Sequence, residues 1–169
     1  MDDRCAAGDE GGEAPCFAHL FDDVAPVPDA VLAELVRSLA DAVVLADDTG
    51  TITFWNEAAH RVFGWSAAEA VGQTLDLIIP ERLRERHWEG YRRTMATGET
   101  SYGDRLLEVP ALHRDGRTLS IAFTVTLLRD PGSTRPSAIA AVIRDDTERW
   151  QERRRLRAEL ARLQEAAGS

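Results

Sequence analysis

His87 is the side chain whose neighbours in the sequence best suit chemistry. In the stretch Ile78 to Gly98, Leu83, His87, Gly90, Tyr91, Thr94 and Met95 recur at helical spacing on one side, and Arg82, Glu85, Arg86, Glu89, Arg92 and Arg93 fall on the other. The imidazole therefore belongs with the apolar residues, and Gly90, three places on, leaves a gap beside it. A sheltered imidazole next to open space can be an axial ligand to a flat cofactor. It can equally be a packed histidine that satisfies a backbone carbonyl. His19, His60 and His113 read as solvated or structural, and Trp55 and Trp65 as packing residues. No nucleophile–base pair and no convergent pair of carboxylates is visible, so an enzyme is not expected. All twenty basic residues are arginine, which removes every chemistry that needs lysine, including Schiff bases and phosphate-loop binding.

The elements that must position His87 follow from turn and cap chemistry. Pro80 and Gly98 bracket a helix of about four turns, proline being tolerated in a first turn and glycine suited to a stop. Upstream, Asp29 can cap a short helix through Leu39. Ala42 to Asp47, the turn Asp-Asp-Thr-Gly, and Ile52 to Trp55 spell a hairpin. Asn56 can cap a helix that ends at Gly64, and Ser66 with Glu69 forms a capping box. Downstream, Ser101 to Leu112, Arg117 to Leu128 and Ser137 to Arg144 read as three strands, with turns at His113–Gly116 and at Pro131-Gly132-Ser133. A charged helix from Asp146 to about Ala167 closes the chain. Segregated strands and helices imply an α+β domain, an antiparallel sheet with helices on one face. The domain reading is an acidic, disordered leader at 1–27, a cap helix at 28–40, the domain proper at 41–146, and a C-terminal helix at 147–169.

With 169 residues and 44% apolar content the chain can bury one core. The net charge of −9 argues against nucleic acid or an anionic membrane surface as partner. Residues 1–23 hold seven acids against Arg4, a net −6, so the rest is nearly balanced. Both cysteines, Cys5 and Cys16, lie in that leader without Cys-x-x-Cys spacing, and no apolar run could span a bilayer. A cytoplasmic location is expected.

The hairpin A-D-A-V-V-L-A-D-D-T-G-T-I-T-F-W-N-E-A-A, the F-G-W turn, the P-E-R-L-R-E-R-H helix, H-R-D-G before a long strand, and V-I-R-D-D-T-E-R together resemble a PAS sensor domain from about Val31 to Arg149. The resemblance implies a five-stranded antiparallel sheet cupping a small cavity, with flanking N- and C-terminal helices. Within the family the chain is most similar to the haem-binding branch, the oxygen-sensor kinases and direct oxygen sensors, whose R-x-x-H histidine is the proximal ligand. His87 in R-E-R-H matches it. By the same resemblance haem b would be held by His87, with Leu83 and Tyr91 on its helix and with Arg105, Leu107, Ile121, Phe123, Ile139 and Ile143 on the strands around it. Arg105 stands where some members keep a methionine ligand, and Leu107 occupies the usual distal arginine position. The gas-binding mode therefore departs from the pattern, leaving oxygen, carbon monoxide, nitric oxide or a redox role open. Light-sensing and coumarate-binding branches need a cysteine inside the domain, which this chain lacks.

Leu156, Leu160, Leu163 and Ala167 are spaced four, three and four apart, an a/d seam. The resemblance implies a signalling helix that pairs in a homodimer. Too few residues follow the sheet for an output module, so a stand-alone sensor would signal to a separate effector protein. The alternative is a PAS module with an empty or small-ligand cavity, acting as a dimerising adaptor.

Overall fold

The computed structural model describes residues 26–100 and 105–167. In chain order these form α1 (Asp29–Ser38), β1 (Ala42–Asp47), β2 (Ile52–Trp55), α2 (Glu57–Phe63), α3 (Ala67–Ala70), α4 (Glu81–Thr97), β3 (Leu107–Leu112), β4 (Thr118–Leu128), β5 (Ala138–Asp145) and α5 (Thr147–Ala167). The five strands make one antiparallel sheet, as the resemblance implies, and their order is β2-β1-β5-β4-β3.

Local chemistry explains most boundaries. The Asp47 carboxylate accepts hydrogen bonds from the Thr49 and Thr51 amides and the Thr49 hydroxyl, and Gly50 supplies the positive φ (84°) that the β1–β2 turn requires. Asn56 is almost wholly buried and fully employed. Its Oδ1 accepts from the amides of Ala59, the α2 cap bond, and Val43, and its Nδ2 donates to the carbonyls of Val36 and Asp41. One side chain thereby ties α1, β1 and α2 together. Ser66 and Glu69 form the expected capping box, and α4 stops at Gly98 in the left-handed region.

Some boundaries differ from expectation. Helix α4 starts at Glu81 rather than Ile78, because Leu75–Leu77 forms a separate 3-10 turn and Pro80 is the cap residue. Asp29 sits in the first turn of α1 behind Pro28 instead of capping it. Strand β3 begins at Leu107 rather than Ser101, and 101–104 lie outside the described residues, as does the leader to residue 25 with Cys5, Cys16 and His19.

On the sheet's inner face Ala42, Val44, Ile52, Leu119, Ile121, Ala111 and Ile143 pack against Ala58, Ala59 and Phe63 of α2, Ala70 of α3, and Ile78. Phe63 and Ile52 are fully enclosed. Each such side chain stabilises the fold by roughly 1.5–3 kcal/mol. By contrast α1 buries no side chain, and Glu148 to Ala166 of α5 are all exposed.

Candidate functional site

Helix α4 reaches the sheet through Tyr91 and Met95, which pack on Ala46 of β1 and Ile139 of β5. The Tyr91 hydroxyl donates to the main-chain carbonyls of Asp47 and Ala46 and is buried, so its phenol is pushed above its ordinary pKa by burial and by the charges of Asp47 and Asp48. At its other end α4 is fastened to the 3-10 turn. Trp88 Nε1 donates to Asp76 Oδ1 (2.8 Å), and Arg84 donates to the carbonyls of Asp76 and Ile79 (3.0 and 3.2 Å). The Trp88 ring lies on Gly50, where any β-carbon would collide with it at 2.2 Å. That glycine therefore serves twice, for its φ and for the close approach of the indole.

His87 sits between these anchors. Its ring packs edge-on to Trp88 (centroids 4.9 Å) and tilted against Tyr91 (5.7 Å). Burial lowers its pKa, the charge of Asp76 opposing only in part, so the imidazole is held neutral. Its Nδ1 is buried and has no hydrogen-bond partner. A β-carbon at Gly90 would meet nothing within 4 Å, so no side chain fills the position next to that glycine.

Strand alternation puts Leu107, Val109 and Ala111, then Ile121, Phe123, Val125 and Leu127, then Ile139, Ala141 and Ile143 on the inner face. These residues do not share one environment. Ile121 and Ile143 are 5% and 3% exposed, sealed in the core beneath α2 and α3. Leu107, Phe123, Val125, Leu127, Ile139 and Ala141 are only half-buried, and Val109 is 36% exposed although it faces inward. The inner face thus has a closed half, against whose core Phe123 and Ala141 also pack, and an open half, with Leu83, His87 and Gly90 half-buried on the helix on the open side.

Of the residues singled out in the sequence, the fold brings His87, Leu83, Leu107 and Ile139 to elements bordering this open half, while Phe123 packs at the edge of the closed core. Three others lie elsewhere. Arg105 precedes β3 and is exposed, so it shares no strand face with Leu107. Ile121 and Ile143 are occupied by core packing, because α2 covers the end of the sheet that carries them. Tyr91 stays beside His87 but its hydroxyl is spent on β1 carbonyls. Trp88 and Asp76, which hold the imidazole's surroundings in place, went unread. The signal that could have found them is the glycine at the hairpin turn, since a tight turn can receive an aromatic ring.

The residues present fit a haem-type group on two counts: a neutral imidazole and a ring nitrogen without a partner. Among the described residues no group of three or more His, Cys, Asp and Glu could hold a metal ion. His87 would be a lone donor, the ligand set of an iron whose other positions are filled by a macrocycle. No helix among the described residues is long and apolar enough to cross a membrane.

A family model described as PAS fold matches residues 31–145. The chain is 29% identical to Sensor protein FixL of Bradyrhizobium diazoefficiens over 165 residues, 90% of this chain and 32% of that protein. It is 26% identical to Oxygen sensor protein DosP of Escherichia coli over 89 residues, 53% of this chain and 11% of that one. The crystal structure of a PAS domain from Colwellia psychrerythraea superposes with a TM-score of 0.60 at 22% identity, covering 70% of this chain and 97% of that domain, a likeness of fold. The chain spans at most about a third of the length of these curated relatives.

Proposed function

This chain belongs to the PAS family, and on that premise we propose that it is a sensor module that holds haem b through His87 on the open half of its sheet. The observation that carries this reading is a half-buried imidazole kept neutral on α4, its Nδ1 buried without a partner. Bound haem would supply an iron able to take a diatomic gas or to change oxidation state. The chain's own residues do the rest. Only a neutral imidazole has a lone pair to offer, and burial keeps His87 in that state. Trp88, pinned by Asp76 and Gly50, and Tyr91, pinned by β1, hold the ring from two sides. Leu83, Leu107, Phe123 and Ile139 provide an apolar lining that keeps water away. Arg105, exposed ahead of β3, is free to reach the rim as a donor to a bound gas.

The printed names of the two relatives, a sensor protein and an oxygen sensor protein, support the sensing half of this reading. We read α5 as the output element of a cytoplasmic homodimer that acts on a separate effector, because Leu156, Leu160 and Leu163 are more than half exposed on one side of it. The exposed Val31, Leu32 and Leu35 of α1 support the second reading, a cofactor-free dimerising adaptor.

Expression with haem supplied is expected to yield a Soret band that is lost in His87→Ala. An unchanged spectrum in that variant would exclude this ligand. A colourless wild type that still dimerises, and becomes monomeric in Leu160→Asp, would favour the adaptor.

A further inference from the structure

Helix α5 leaves the sheet with its side chains from Glu148 onward in solvent, so apolar packing does not set its direction. Two polar fastenings do. The Thr147 hydroxyl oxygen accepts from the Ser120 amide at 3.0 Å. Arg153, nearly two turns on, makes a fork: Nη1 donates to Glu108 Oε1 at 3.0 Å, and Nη2 donates to Asp146 Oδ2 at 2.5 Å. The partners differ in kind. Glu108 and Arg153 are both nearly half exposed, and an ion pair of that sort is weak. The Asp146 side chain is 6% exposed, and Arg149 approaches it only to 3.7 Å, so its carboxylate depends on Arg153. Asp146 anchors the guanidinium, and Glu108 aims it.

The position of Glu108 gives this fork a role. Leu107 and Glu108 are consecutive on β3, so one faces the open half of the inner face and the other faces outward toward α5. A single strand thus carries a wall residue of the candidate site and one end of the fork. Beneath α5, a cleft of about 310 Å³ lined by Leu106, Ala122, Thr124, Val142 and Arg153 leaves the helix room to move.

We propose that Arg153 is a positioning residue, a latch that sets the angle of α5 against β3, and that displacement of β3 at Leu107 is delivered to α5 through Glu108. The trigger rests on reading the open half as the sensing site, whereas the latch stands without it. A weak, exposed pair suits this task, because a small displacement can shift the balance between latched and released helix.

Hydrogen exchange on the full chain tests it. Amides 149–157 of Glu108→Gln are expected to exchange several-fold faster than in the wild type, with the β1 and β5 amides unchanged, and Arg153→Gln is expected to do more. Roughly 1 M salt, where the Debye length is about 3 Å, should release the wild-type helix and leave Glu108→Gln little altered. Equal exchange in wild type and Glu108→Gln, or a rise shared by the whole sheet, would overturn the latch. In the haem-loaded protein, carbon monoxide should change α5 exchange in the wild type and not in Glu108→Gln, with Soret bands of equal intensity. Equal responses would overturn the coupling. An absent band counts against the haem reading alone, and the comparison without haem still decides the latch.

Discussion

Two halves of one sheet face can be set side by side. Under α2 and α3, inward residues of β1, β2, β4 and β5 interlock with Ala58, Ala59 and Phe63 until nothing is left open. Under α4, inward residues of the same strands β4 and β5 remain half-buried, facing a helix that touches the sheet through Tyr91 and Met95. The residue types hardly differ, being Ile, Val, Leu, Phe and Ala in both. What differs is the covering helix. Small alanines and a buried Phe63 let α2 lie close, while α4 presents an imidazole and a glycine and meets the sheet only through Tyr91 and Met95. Close packing yields stability, and the half left unfilled is where a ligand can be received.

The largest effect should come from emptying the closed half. Phe63→Ala, at a site with no exposure, is expected to cost about 3–5 kcal/mol in a urea or thermal melt. Leu127→Ala, a deletion on the open half, should cost clearly less, and equal losses would erase the distinction between the halves. A middle-sized effect is expected with pH. The His87 pKa is lowered in the fold, so the unfolded chain binds more protons. Its contribution is therefore complete above the unfolded value of about 6.5 and declines as pH falls toward the lowered folded value. Melts from neutral pH down to about pH 5 should show this slope in the wild type and lose it in His87→Gln. The smallest effect is at Gly90. An added β-carbon meets no atom within 4 Å, so Gly90→Ala should stabilise the helix by about 0.5–1 kcal/mol, whereas Gly90→Leu should reach into the space and reduce haem uptake at unchanged secondary structure by circular dichroism.

Much of the fold was legible because it is written in short-range rules. The turn at Asp47–Gly50, the caps at Asn56 and Ser66, and the stop at Gly98 each satisfy backbone groups within a few residues, and strand alternation repeats every second position. The candidate site was legible in part. His87 and Gly90 share a helix, so their spacing alone placed them together. Trp88 on Gly50, Asp76 beneath Trp88, and Glu108 against Arg153 join segments 12 to 45 residues apart, and no local pattern announces them.

The amino-acid order by itself determined that an imidazole would face inward beside a gap, because helical periodicity is a property of the backbone. Only the tertiary structure decided that Ile121 and Ile143 would be sealed while Phe123 and Leu107 stayed half-open, that Arg105 would fall ahead of its strand, and that α5 would be steered by charge. Which half of a sheet closes depends on how near each helix can come, and that distance is set by the side chains of distant segments meeting across the core.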